Sequence, residues 1–307
     1  MIGATLLHSV SYSGSWGQAF LTLDQFVDKA AELGFHGLML MAKRPHLSPL
    51  DYDAAARARL RERIASRNLS TVVLAGYNNL TADLEHSEVP HREIQVAYIT
   101  ELARLAHDIG AQTVRIFTGY EHPAASYTAQ WNMVVSTLKE CARRAGDFNV
   151  ILGVQNHHDI GVGYQAMYDL IHAVNEPNCR PLFDAWAPAL HGDDLTTAAS
   201  RLASQATHTT VADYQLRPRY RYQPALVNYT PETPYVQAVP MGEGFIDYSS
   251  FFSALEDGGF TGSIAYEMCS PLLDGGDLAT LDHYARRFLD YMAAFRQSRH
   301  AMAGLIP

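Results

Sequence analysis

Val150-Ile151-Leu152-Gly153-Val154 runs directly into Gln155-Asn156-His157-His158-Asp159, an apolar pentapeptide followed without transition by five polar residues. The apolar run has the composition of a strand buried on both faces, as in parallel sheets. The carboxyl ends of such strands deliver side chains to ligands, so the polar run falls where a site would be built. An ordinary polar loop after a strand is the competing reading.

Outward from this stretch, strands and helices alternate. Apolar or β-branched runs at 4–10, 37–41, 70–75, 113–117, 150–154, 181–184, 208–213 and 263–267 read as eight strands. Between them, 23–33 puts Phe26, Val27, Ala30 and Leu33 on one helical face, with Gly34 as the stop. Further helices are expected at 51–67, 91–109, 127–145, 163–174, 195–205, 246–256 and 278–295. Eight β/α units in 307 residues predict an α/β fold in which 1–307 form one domain, a (β/α)8 TIM barrel. No glycine-rich dinucleotide or P-loop fingerprint follows the first strand, which argues against an open nucleotide-binding sheet. The rhythm breaks at Tyr214–Gly244, which holds five Tyr, five Pro and three Arg and reads as irregular. A segment of that length, taken as 214–245, is expected to be a lid or a contact with another copy of the chain.

Apolar residues make up 48% and charged residues 18%, as in a folded enzyme. The net charge of -9, without a basic run, speaks against binding nucleic acid through its phosphates. Cys141, Cys179 and Cys269 are scattered, without a CxxC pair, which fits reduced thiols and a cytoplasmic location. Neither a signal-like amino terminus nor an apolar run long enough to span a membrane is found.

The strand ends nominate the site. His8, His46, Tyr77, Arg115, Asn156, Trp186 and Arg219 are candidate substrate contacts, and Glu267 and His157 are candidate catalytic groups. Asp184 and Glu267 each close an apolar strand, where a carboxylate is costly unless it is paired, hydrogen-bonded or holding a cation. Together with Gln155 and the histidine His208 they form a candidate oxygen/nitrogen site for Mn, Mg, Co or Zn. Several nominations have a structural rival. Asp184 could cap the following turn, Arg115 could pair with Glu267 or Asp184, His8 and His46 could be structural, and Tyr77 and Trp186 could simply pack.

The carboxyl-terminal run Val239-Pro240-Met241-Gly242-Glu243-Gly244-Phe245-Ile246-Asp247-Tyr248, followed by Phe260-Thr261-Gly262-Ser263-Ile264-Ala265-Tyr266-Glu267, resembles the ending of the xylose isomerase-like TIM barrels. Leu33-Gly34-Phe35-His36-Gly37-Leu38 before the second strand extends the resemblance toward the amino terminus. It implies a divalent-metal-dependent isomerase, epimerase or related lyase that abstracts a proton next to a carbonyl of a sugar, sugar phosphate, inositol or keto-sugar. The family's metal ligands follow strands five to eight as Glu, Asp, His and Glu. Asp184 and Glu267 match, whereas Gln155 stands for the first Glu, Thr210 for the His, and Ala187 where a further His often stands. The departures imply weakened metal binding and leave Glu267 and His157 to share the proton transfer. A metal-free sugar-binding barrel is the alternative. An apurinic endonuclease, also in the superfamily, is disfavoured by the acidic balance.

Overall fold

In a computed structural model, which describes residues 2–86 and 88–303, eight parallel strands close into a barrel. In chain order the barrel strands are β1 (Thr5–His8), β2 (Gly37–Met41), β3 (Thr71–Ala75), β4 (Thr113–Ile116), β5 (Ile151–Gln155), β6 (Cys179–Leu182), β7 (His208–Val211) and, after an antiparallel pair, β10 (Ser263–Tyr266). β1 closes the barrel against β10, with Leu6 opposite Ala265, and meets β2 on its other side. Helices α1 (Leu23–Leu33), α2 (Ala54–Ser66), α3 (His91–Ile109), α4 (Tyr127–Gly146), α5 (Tyr164–Val174), α6 (Trp186–His191), α7 (Leu195–Leu202), α8 (Tyr248–Asp257) and α9 (Leu278–Ala303) surround it. The α/β barrel expected from the alternation is therefore present.

Local chemistry sets the element ends. Thr22 and Gln25 form a reciprocal capping box at the start of α1, and Gly34 ends it at φ 91°. Strand residues alternate between two packing environments. Val114 and Ile116 of β4 join the large cluster shared with the helices, whereas Leu6, Met39, Val73, Ala75 and Ala265 form a small separate cluster inside the barrel.

The structure corrects the sequence reading in four places. β1 stops at His8, whose Nδ1 accepts from the Val10 amide and caps a 3-10 turn over Ser9–Tyr12. β6 lies two residues earlier than expected, so Asp184 sits on the loop beyond the strand rather than at its end. The short helix α6 was not anticipated. The segment read as irregular is an ordered antiparallel ribbon of β8 (Asp213–Gln223) and β9 (Asn228–Val239). A two-stranded ribbon has two free edges and a register shift between Arg217 and Arg219, positions that tolerate proline's missing N–H.

Candidate active site

At the carboxyl ends of β5, β6, β7 and β10, the residues Gln155, His157, Asp184, Trp186, Thr210, Tyr214, Tyr248, Glu267 and Cys269 line a small cavity of about 40 Å³ that opens to solvent. Gln155 Nε2 donates to Asp184 Oδ2 at 2.6 Å and lies 3.0 Å from the Thr210 hydroxyl. Asp184 Oδ1 accepts from the Trp186 amide at 3.1 Å. Asn156 clamps the same loop, its Oδ1 accepting from the Asp184 amide and its Nδ2 donating to the Asp184 carbonyl. Asn156, nominated as a substrate contact, thus has both ends of its amide engaged by backbone. Burial pushes the Asp184 carboxyl up to about 6, against the opposing hydrogen bond from Gln155.

Glu267 faces this group. Its Oε1 accepts from the Cys269 thiol at 3.0 Å and lies 4.0 Å from His8 Nε2, while Oε2 is buried without a hydrogen-bond partner. Because His8 Nδ1 accepts the Val10 amide, the proton of the neutral ring is on Nε2, toward Glu267. The same logic applies to His157, whose Nδ1 accepts the His158 amide at 2.8 Å. Burial, with the neighbouring His158, holds His157 down to about 3. It is therefore neutral and presents Nε2–H as a donor, which revises its expected role as a base.

A second wall, next to this space but not lining it, is built by the ends of β3 and β4. Arg115 is 1% exposed, donates from Nη1 to the Gly76 carbonyl at 3.2 Å, and lies 5.0 Å from the Tyr77 ring centre and 4.1 Å from that of Phe117. The ion pair with Asp184 or Glu267 considered from sequence is not formed. Phe117 links the two walls, its ring centre standing 4.7 Å from that of His157. Buried atoms without hydrogen-bond partners gather around the mouth: His8 Nε2, Tyr77 Oη, Arg115 Nε, Gln155 Oε1, Trp186 Nε1 and Glu267 Oε2. Native interiors satisfy nearly all such groups, so this concentration of orphans marks a place built for a polar ligand.

A sequence profile described as "Xylose isomerase-like TIM barrel" matches residues 27–291. The chain belongs to the xylose isomerase-like TIM barrel family. Among solved structures, L-ribulose 3-epimerase superposes with a TM-score of 0.75 at 16% identity, covering 99% of this chain and 98% of that one. D-Psicose 3-epimerase from Clostridium cellulolyticum H10, with D-tagatose, gives 0.73 at 16% over 95% and 99%. The probable 3-DHS dehydratase involved in petrobactin synthesis from Bacillus anthracis gives 0.70 at 16% over 94% and 99%. At these identities the likeness establishes the fold. Separately, 92 residues are 37% identical to a Protein-L-isoaspartate O-methyltransferase of Picosynechococcus sp., covering 28% of this chain. The chain spans only 41% of that relative's length.

The xylose isomerase-like pattern of metal ligands can now be tested against the side chains. Gln155 turns its N–H2 toward Asp184, placing a donor where a cation needs an acceptor, and the 2.6 Å contact ties the two side chains together. Thr210 brings a hydroxyl in place of an imidazole. His208, expected beside Asp184, instead engages Ser263 through Nδ1 at 2.8 Å and does not line the space. Among the described residues, no three His, Cys, Asp or Glu side chains converge as a ligand set. The expected set of Gln155, Asp184, His208 and Glu267 does not fit a divalent cation as arranged.

Two further nominations fall away from the mouth. His46 lies between Phe20 and Phe26, each ring centre 6.1 Å away, with Nε2 against the Leu21 carbonyl, so it anchors a loop. Arg219 is exposed on the ribbon opposite Glu232. Sequence reasoning missed Tyr214, Tyr248 and Cys269 as lining residues. For Cys269 a signal existed, since it lies two residues after Glu267. Asp213 proves structural: its Oδ2 accepts from the Gly242 and Gly244 amides, both at 2.9 Å. A Cβ at Gly244 would stand 2.0 Å from Asp213 Oδ1, and Gly242 holds φ 90°, which explains both glycines of the Gly-Glu-Gly motif.

Proposed function

We propose that the chain is a sugar isomerase- or epimerase-like enzyme that binds a small polyhydroxylated carbonyl compound and moves a proton at the carbon next to the carbonyl. The observation that carries this reading is the Glu267 carboxylate, one oxygen held by the Cys269 thiol and the other buried and unpartnered. A carboxylate so placed is a base with a free lone pair at the substrate. His157 Nε2–H, His8 Nε2–H and the Arg115 guanidinium supply the positive edge that an enediolate oxygen needs. Asp184, locked by Gln155 and the Trp186 amide, orients hydroxyl groups from the other side. No step is assigned to a metal ion, because the side chains do not form a cation site. The solved neighbours named as epimerases support the substrate class and nothing finer.

In this reading 1–307 is one barrel domain working on a carbohydrate rather than on nucleic acid, and the ribbon covers the mouth or meets a second copy of the chain. Among the described residues no helix is long and apolar enough to cross a membrane. The test is proton exchange: ketoses incubated in deuterium oxide should gain deuterium next to the carbonyl. Ligand binding without exchange would support the second reading, a sugar-binding barrel without turnover, for which the dismantled metal set speaks.

A further inference from the structure

Arg115 is buried, yet among the described residues no carboxylate forms an ion pair with it, and only aromatic rings flank the guanidinium. Asp184 is engaged by Gln155 and the Trp186 amide, and Glu267 by Cys269, with His8 beside it. Nη1 reaches a backbone carbonyl, and Nε has no partner. A guanidinium out of water without a counter-charge is unfavourable, and a ligand that brings the missing charge relieves that cost. A second cation points to the same place. Lys43 Nζ stands 4.0 Å from the centre of the Tyr77 ring, the ring that Arg115 also faces. After burial, the charge of Arg115 is the next cause holding the Lys43 and His8 protonation equilibria down.

We propose that the substrate of this site is an acid: Arg115 receives a carboxylate of an acidic keto-sugar, with Lys43 as the second cation, and so holds the carbonyl-bearing carbons against the Glu267 wall. This rests on the reading of the mouth as a keto-sugar site and adds the substrate's charge class to it. A carboxylate is favoured over a phosphate by shape. The planar fork, flanked by the Tyr77 and Phe117 rings with Nε unpartnered, matches a flat two-oxygen group better than a tetrahedral one.

Three ligands sharing one carbon skeleton separate the cases: D-fructose, D-fructuronate and D-fructose 6-phosphate, titrated by calorimetry into the wild type, Arg115→Met and Lys43→Met. D-Fructuronate is expected to bind about a hundredfold more tightly than D-fructose, an advantage that Arg115→Met abolishes, as loss of a buried charge partner does. Lys43→Met, at an exposed side chain, should cut that advantage about threefold, and it keeps the comparison available should Arg115→Met fail to fold. Within each variant the readout is the ratio of the D-fructuronate affinity to the D-fructose affinity. Equal binding of D-fructose and D-fructuronate would overturn the proposal. So would tighter binding of the phosphate than of the acid, or an advantage that neither variant reduces. If none of the three binds, the keto-sugar reading of the mouth falls, and the proposal with it.

Discussion

The two walls of the barrel mouth differ in how their charges are satisfied. On the β5 to β10 side, Asp184 is met by Gln155 and the Trp186 amide, and half of Glu267 by Cys269. On the β2 to β4 side, Arg115 and Lys43 face the same aromatic ring, and neither forms an ion pair with an acid among the described residues. A wall whose charges are largely satisfied internally is organised by the protein, whereas a wall with an orphan cation is completed by what it binds. The difference teaches that the acidic side of the mouth is held by hydrogen bonds within the protein, while the positive charge beside it has no acid partner among the described residues.

The strongest way to break this contrast is Glu267→Gln, which keeps the side-chain shape and removes the free base. Turnover is expected to fall about a thousandfold, as for loss of a positioned base, with the melting temperature nearly unchanged. Steady-state kinetics and a thermal melt check both halves. Next is Gln155→Glu, which puts a second carboxylate against Asp184 without adding a proton or cation. It should cost roughly 3 kcal/mol in chelator, much of it regained with Mn, as read by thermal melts with and without metal. A melt equally depressed in both conditions would mean that Thr210 and the turned-away His208 prevent a cation site even then.

The Asp184 carboxyl adds a pH signature of similar size. Its value is raised from 3.8 to about 6, so between those values the folded chain holds a proton that the unfolded chain has released. Stability from this group is full below pH 4 and is lost as pH rises through 6, by at most about 3 kcal/mol. Asp184→Asn should remove that slope from a series of denaturant melts. Arg115→Met sharpens the contrast from the other wall: without ligand it should raise stability by about 1 kcal/mol, because it deletes an uncompensated buried charge, while weakening the site. The smallest effect is expected at the ribbon. Leu216 pairs with Val236, so replacing 217–235 by Asn-Gly closes a shorter hairpin. The barrel should melt within about 0.5 kcal/mol of the wild type. Loss of a dimer in sedimentation would identify the ribbon as a contact between copies.

Much of the scaffold was legible because local signals agreed. Leu23–Leu33 carries its own caps and stripe, and Gly37–Met41 is a bare apolar strand, and both appear with the expected bounds. Gln155, Asp184 and Glu267 were found because each ends or follows an apolar run whose carboxyl end leads to the barrel mouth. What stayed hidden depends on partners distant in the chain. His46 was a candidate contact until its stacking on Phe20 and Phe26 was known, and His208 until Ser263, 55 residues away, claimed its ring. The role of His157 turned on a single backbone amide, which fixes its tautomer and is invisible in a string of letters. The ribbon was misread because proline is a strand breaker only where both edges of a strand are paired.

The central claim is that Glu267 moves a proton without a bound cation. Its most direct test is proton NMR of D-fructuronate in deuterium oxide with enzyme freed of metal by chelation. Loss of the signal next to the carbonyl in the wild type, and its persistence with Glu267→Gln, is the predicted result. Exchange that stops in chelator and returns with Mn, or that proceeds unchanged in Glu267→Gln, would contradict it.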